Sequence, residues 1–157
     1  KLSKIAHVRR IRFHTRFIMG IPERVDTSFL KLLKACPKQI WFVNHANHIH
    51  EFDDDIWQAL KNIQQLGIPI LNQTVLLQGV NDTLDALKEL FLDLIDHGIT
   101  PYYLHQLDEV QGSSHFKVPP QKGHELIEGL MKTLPGYAVP KYVQEIPNRP
   151  SKTPMLG

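Results

Sequence analysis

Apolar positions in this chain fall in short runs, and between the runs lie amphipathic stretches with polar caps. Val8 to Phe13 alternates arginine with apolar residues, which predicts a strand. Asp26-Thr27-Ser28 offers side-chain oxygens to cap a helix running to about Ala35, and Pro37 stops it. Gln39 to Val43 is a compact apolar run with polar flanks, the pattern of a buried parallel strand. Asp53-Asp54-Asp55 then loads the start of a helix with carboxylates, which favours the positive end of its dipole. Ile56, Leu60, Ile63 and Leu66 recur at helical spacing up to Gly67, a suitable residue for the left-handed turn after a helix.

The rhythm then repeats. Ile68 to Leu77 predicts a strand, and Asn81-Asp82-Thr83 caps a helix whose buried face carries Leu84, Leu87, Phe91, Leu94 and Ile95. Gly98 ends that helix, and Ile99 to Leu104 predicts another strand. Beyond a polar loop from Asp108 to Pro120, a further helix is expected over Gly123 to Leu134. An extended segment from Tyr137 to Ile146 follows, with Pro140 arguing for an edge or isolated position. Glycine-ended helices alternating with strands predict an α/β fold built from four βα units in a parallel sheet or barrel. Residues 1–118 are expected to form the βα units, and 119–157 a C-terminal helix and extended arm.

Composition narrows the classes without naming one. The 157 residues suffice for a single core. No apolar stretch approaches the roughly 18–20 residues of a membrane span, and Lys1 to Lys4 lead into no signal-type segment. The expectation is a cytoplasmic protein without membrane association. A net charge of +2 is too weak to argue for nucleic acid. Cys36 is the single cysteine, so neither an intrachain disulfide nor a cysteine-built metal site can come from this sequence alone. The chain does not begin with Met and opens in mid-pattern, as a piece of something longer would.

Catalytic groups gather where strands end in parallel α/β folds. Here every predicted strand end is polar: His14-Thr15-Arg16, then Asn44 to His50, then Asn72-Gln73, then His105 to Glu109. That is the composition of an active-site rim. His45, His48 and His50 could serve a metal, with only Glu51 or Asp53 to complete the set, or could hydrogen-bond a ligand or the backbone. Gln111 to His115 could cradle a phosphate or form an ordinary turn. Lys152 sits between Ser151 and Thr153 inside a pair of prolines; a lysine so held can be presented to a cavity as a nucleophile, or can be a solvated tail residue.

Three stretches carry a resemblance. Leu71-Asn72-Gln73-Thr74-Val75-Leu76-Leu77-Gln78-Gly79-Val80-Asn81-Asp82 is similar to a signature of the lysine 2,3-aminomutase family, which is radical-SAM and pyridoxal-phosphate (PLP) dependent. Pro101 to His105, with Asp108, Gly112 and His115-Phe116, resembles a second block of that family, and Pro150 to Pro154 resembles its PLP-lysine loop. The similarity runs from about Arg10 to Pro154. Val43 to His48 and the Pro-Ser-Lys-Thr-Pro ending look most like the branch that makes (R)-β-lysine for elongation factor P, which a partner ligase attaches.

The resemblance implies an isomerase whose residues 1–118 are the C-terminal βα units of a partial TIM-like radical-SAM barrel and whose residues 119–157 form the arm with the PLP lysine. A [4Fe-4S] cluster and S-adenosylmethionine would generate a 5′-deoxyadenosyl radical, and the α-amino nitrogen of PLP-bound L-lysine would migrate to C3. It implies that Lys152 holds PLP, that Asp108 and Glu145 bind the substrate ε-ammonium, and that Gln73 and His45 contact S-adenosylmethionine. Tyr103 and His115 are candidate pocket residues, and no role is implied for them or for His48. The Cys triad for the cluster is not in this sequence, nor are the arginines expected for the PLP phosphate and the substrate carboxylate. The isolated chain is therefore expected to be inactive. Alternatives are a catabolic lysine 2,3-aminomutase and a non-catalytic remnant that binds PLP or a partner. A homo-oligomer is compatible with all of these.

Overall fold

The computed structural model describes residues 1–155. Its strands form one sheet in the order β1-β2-β3-β4-β5-β6, with helices between successive strands from β1 to β5. The strands are β1 (Arg10–Thr15), β2 (Gln39–His45), β3 (Ile70–Leu76), β4 (Thr100–Gln106), β5 (Lys141–Gln144) and β6 (Thr153–Pro154). The helices are α1 (Phe17–Gly20), α2 (Thr27–Lys34), α3 (Asp54–Gln64), α4 (Leu84–Asp96) and α5 (Pro120–Thr133). The chain divides into two compact units, 1–45 with 50–71 and 46–49 with 72–157.

In the first unit β1 and β2 run parallel, with Phe13 opposite Phe42 and His14 opposite Val43. The Phe13 and Phe42 rings stack at 4.9 Å, and Phe29 of α2 meets Phe42 edge-on at 6.3 Å. Local chemistry starts both longer helices. Asp26 accepts from the Phe29 amide at 2.7 Å, and Asp53 accepts from the Ile56 amide at 2.8 Å. Ile56, Ala59, Leu60 and Ile63 are the buried stripe of α3, on the spacing read from the sequence. The helix gives way at Gly67, whose φ of +75° is where a side chain would be strained.

The second unit is built on β4 and β5, which are parallel, and on β6, which runs antiparallel to β5. Leu87, Leu90, Phe91 and Leu94 of α4 pack with Leu104, Leu126 and Leu130 in its core, and each such burial stabilises by about 1.5–3 kcal/mol. Thr83 caps α4 through the Ala86 amide, and Gly98 ends it at φ +70°. The helix expected over 123–134 is α5, which follows β4. One expectation needs correction: the segment after it is neither at a sheet edge nor isolated. Residues 141–144 form a strand flanked by β4 and β6. Pro140 lies just before that strand, where its missing N–H removes no ladder bond.

A polar lattice fixes residues 46–49 within this unit. The Asn72 amide both accepts from the Ala46 N–H, at 3.1 Å, and donates to the Ala46 carbonyl, at 3.0 Å. Thr74 Oγ1 donates to the same carbonyl at 2.9 Å. The buried Asn81 donates to the Asn47 and Val75 carbonyls and accepts from the Leu77 amide, each at 2.8 Å. Several polar residues of the 71–82 signature are therefore structural pins.

Candidate functional site

The sequence-predicted site residues fall into one group in each unit. In the first, His14 and His45 close neighbouring strands, their rings meeting edge-on at 6.3 Å. Arg16, just past β1, pairs with Glu51. Glu51 was one of the two carboxylates available to complete a histidine metal site, and its partner is a guanidinium instead. Among the described residues no cluster of three or more His, Cys, Asp or Glu side chains could hold a metal ion.

The second unit holds Gln73, Asp108, Glu145 and Lys152. Gln73 is buried in β3, and its Nε2 has no hydrogen-bond partner among the described residues. A buried amide donor left over is costly unless something accepts from it. The rest of this group surrounds Lys152. The strand β6 places Lys152 beside the end of β5, and its ammonium donates to Glu145. The same ammonium lies over the Tyr103 ring, 5.5 Å from the centroid. Tyr103 also meets the His105 ring edge-on at 5.6 Å.

Lys152 lines one cavity of about 560 Å³, and its partner Glu145 lines another of about 560 Å³. One is mainly apolar, with Tyr103, Ile127, Val139, Tyr142 and Lys152 in its wall. The other carries Asp108, Glu109, Gln144 and Glu145. The first therefore sets a lysine among aromatic and apolar side chains, and the second is acidic.

Electrostatics separates the two carboxylates. Partial burial raises the Asp108 carboxyl above the usual aspartate range; Glu145 adds to this by repulsion and Lys152 opposes it. Glu145 is lowered, chiefly by the hydrogen bond from Lys152, with the charges of Lys152 and His105 assisting. Two carboxylates here share one cation.

Gln106 ends β4 and holds the neighbourhood in place. It is buried, its Nε2 donates to the Val118 carbonyl at 2.8 Å, and its Oε1 accepts from the Tyr142 hydroxyl. Tyr142 in turn lies against the bare backbone of Gly123 in α5. Asp108 follows Gln106 by two residues, so this latch sets where the loop carrying Asp108 leaves the strand. Sequence reasoning missed Gln106, Tyr142 and Gly123 and gave Tyr103 no role. The turn at 111–115 uses its own hydroxyl internally, Ser113 Oγ donating to the Val110 carbonyl at 2.7 Å.

Comparison with known proteins bears on all of this. No protein-family model matches the chain. It is 40% identical over 155 residues to the L-lysine 2,3-aminomutase of Escherichia coli, covering 99% of this chain and 45% of that protein. It is 41% identical to the L-lysine 2,3-aminomutase of Haemophilus influenzae, with 97% and 45% covered, and 36% identical to that of Clostridium subterminale, with 99% and 37% covered. Among solved structures, a radical SAM methyltransferase from Sphaerobacter thermophilus superposes with a TM-score of 0.60 at 15% identity, covering 85% of this chain and 40% of that one. At that identity the likeness speaks for the fold, a partial radical-SAM α/β fold. The chain spans slightly less than half the length of the curated relatives it matches first, and over that stretch it is similar in sequence to L-lysine 2,3-aminomutases.

Proposed function

We propose that this chain is the part of an L-lysine 2,3-aminomutase that carries the PLP lysine and the carboxylates for the substrate side chain. The observation that carries this reading is that Lys152, in the wall of an aromatic-lined cavity, pairs with Glu145, which shares an acidic cavity with Asp108. PLP, when bound, would supply the electronic sink that lets the amino nitrogen migrate. The residues of this chain bind and orient. Lys152 would offer the amine that anchors the cofactor. Asp108 and Glu145 would neutralise the ε-ammonium of lysine, since a partly buried cation requires compensating charge. Gln73 would accept S-adenosylmethionine through its free donor, with His45 as a second contact on the resemblance alone. The Fe–S cluster does not fit this donor set, because Cys36 is the one cysteine; its ligands belong to sequence outside these residues.

The product we propose is (R)-β-lysine for elongation factor P, with a lysyl ligase as the downstream partner, in the cytoplasm. Val43 to His48 and Pro150 to Pro154 support this branch by resemblance. Among the described residues no helix is long and apolar enough to cross a membrane.

The test is Asp108→Asn in the complete enzyme. Removing one charge-assisted contact to a desolvated ammonium costs about 2–3 kcal/mol, or roughly 30- to 150-fold in kcat/KM for lysine. S-adenosylmethionine binding should change little. Lysine turnover within about threefold of the parent would remove Asp108 from the substrate site.

A further inference from the structure

Tyr103 shares the wall of the apolar cavity with Lys152. Its ring lies beneath Lys152 Nζ, and the same nitrogen donates to Glu145. Register alone does not require this, because Tyr103 sits opposite Lys141 on β5, not opposite Lys152. Neighbouring rings fix the tyrosine, Tyr102 at 3.9 Å and His105 edge-on at 5.6 Å. The platform is thus preorganised, and the lysine is the part that can leave.

We propose that Tyr103 is a positioning residue that, together with Glu145, parks the Lys152 ammonium in the site meant for the substrate's side-chain ammonium, so that an ammonium entering that site releases the lysine. This rests on the reading of Lys152 as the cofactor lysine and of Asp108 and Glu145 as the ammonium site. Charge counting supports it. Two carboxylates beside one cation are tolerable, whereas two beside none repel. Parking Lys152 keeps the acidic cavity compensated until another cation takes its place. The hold is also weak enough to reverse. The Lys152–Glu145 pair is partly open to water, which screens it, and a single cation–π contact is modest. Tyr103 adds direction: an ammonium over a ring face remains beside the apolar cavity, where the cofactor aldehyde would be presented.

The test reads Lys152 directly, without PLP. With 13C-labelled lysine in the purified protein, and assignment by Lys152→Arg, the Lys152 ε-CH2 protons should resonate upfield of the other lysines because they feel the Tyr103 ring current. Tyr103→Phe should preserve that shift and Tyr103→Leu should abolish it. Acetylation of Lys152, followed by mass spectrometry, should be about 2- to 5-fold faster in Tyr103→Leu and in Glu145→Gln than in the parent, and unchanged in Tyr103→Phe. Glu145→Gln alters a surface carboxylate, so the acetylation arm remains decisive if Tyr103→Leu fails to fold. An unshifted Lys152 resonance in the parent, or equal acetylation rates in all variants, overturns the proposal. A pyridoxyl label found on another lysine would defeat the cofactor reading and leave both readouts standing. A Lys152 that takes the label but shows neither effect would defeat the role of Tyr103 alone.

Discussion

Gly123→Ala should destabilise the protein, although alanine is the better helix former. A Cβ built on Gly123 would lie 2.7 Å from Cε1 of Tyr142 and closer still to its Cζ and Oη. Ordinary carbon contacts are about 3.5–4.0 Å, so ring or helix must shift by roughly 1 Å. The ring is not free to do so, because it is buried and its hydroxyl donates to Gln106. Overpacking of this kind costs about 1–3 kcal/mol. Turning the ring away leaves the Gln106 Oε1 without its donor, for about 1–3 kcal/mol more. Against these stands a helix-propensity gain of about 1 kcal/mol. The net expectation is a loss of about 2 kcal/mol, read as a lower urea midpoint with an unchanged slope. Gly129, in the same helix, is the control. Its Cβ would meet only Leu84 side-chain carbons, at 3.0 and 3.1 Å, and that flexible side chain can yield. Gly129→Ala should therefore be near neutral. Tyr142→Phe should not rescue Gly123→Ala, because the ring carbons obstruct as well as the hydroxyl. If Gly123→Ala raises the midpoint, as an open helical glycine would, the Gly123–Tyr142–Gln106 latch is not as described.

Two further perturbations follow from buried polar groups. Asn81→Ala strips partners from the Leu77 amide and from the Asn47 and Val75 carbonyls, so unfolding free energy should fall by about 3 kcal/mol or more; a loss under about 1 kcal/mol would mean the lattice is not needed. Burial raises the Tyr142 hydroxyl from 10.0 to about 12, so the folded state holds its proton more tightly than the unfolded state. That contribution is complete below pH 10 and disappears as pH rises toward about 12. Stability measured across this window should fall more steeply in the parent than in Tyr142→Phe, and parallel curves would refute the assignment.

What was legible in the sequence was local. Asp26, Asp53 and Thr83 sit where the helices they cap begin, because a cap acts within three residues. Gly67 and Gly98 lie at positive φ, as the helix-ending pattern requires. What escaped depends on distance. Tyr142 meets Gln106 across 36 residues, and no periodicity announces such a pairing. The strand at 141–144 is short and preceded by proline, so its own sequence argued for isolation; its neighbours β4 and β6 decided otherwise. Around the candidate site, Lys152, Glu145 and Asp108 were reached through resemblance, and the structure brings them together. Tyr103 was named as a candidate pocket residue without a role, since a ring face presented to one lysine is not legible in sequence. His14 and His45 were identified as strand-end residues, and they do close adjacent strands.

The most direct measurement is borohydride reduction of the PLP-loaded protein followed by peptide mapping. A single pyridoxyl label on Lys152 is expected, lost in Lys152→Ala while the fold persists, because the side chain lies outside the core. Lys152→Arg should lose it too, since arginine keeps the charge but offers no amine to the aldehyde. A label on Lys141, Lys132 or any lysine other than Lys152 would contradict the assignment on which the proposed aminomutase function rests.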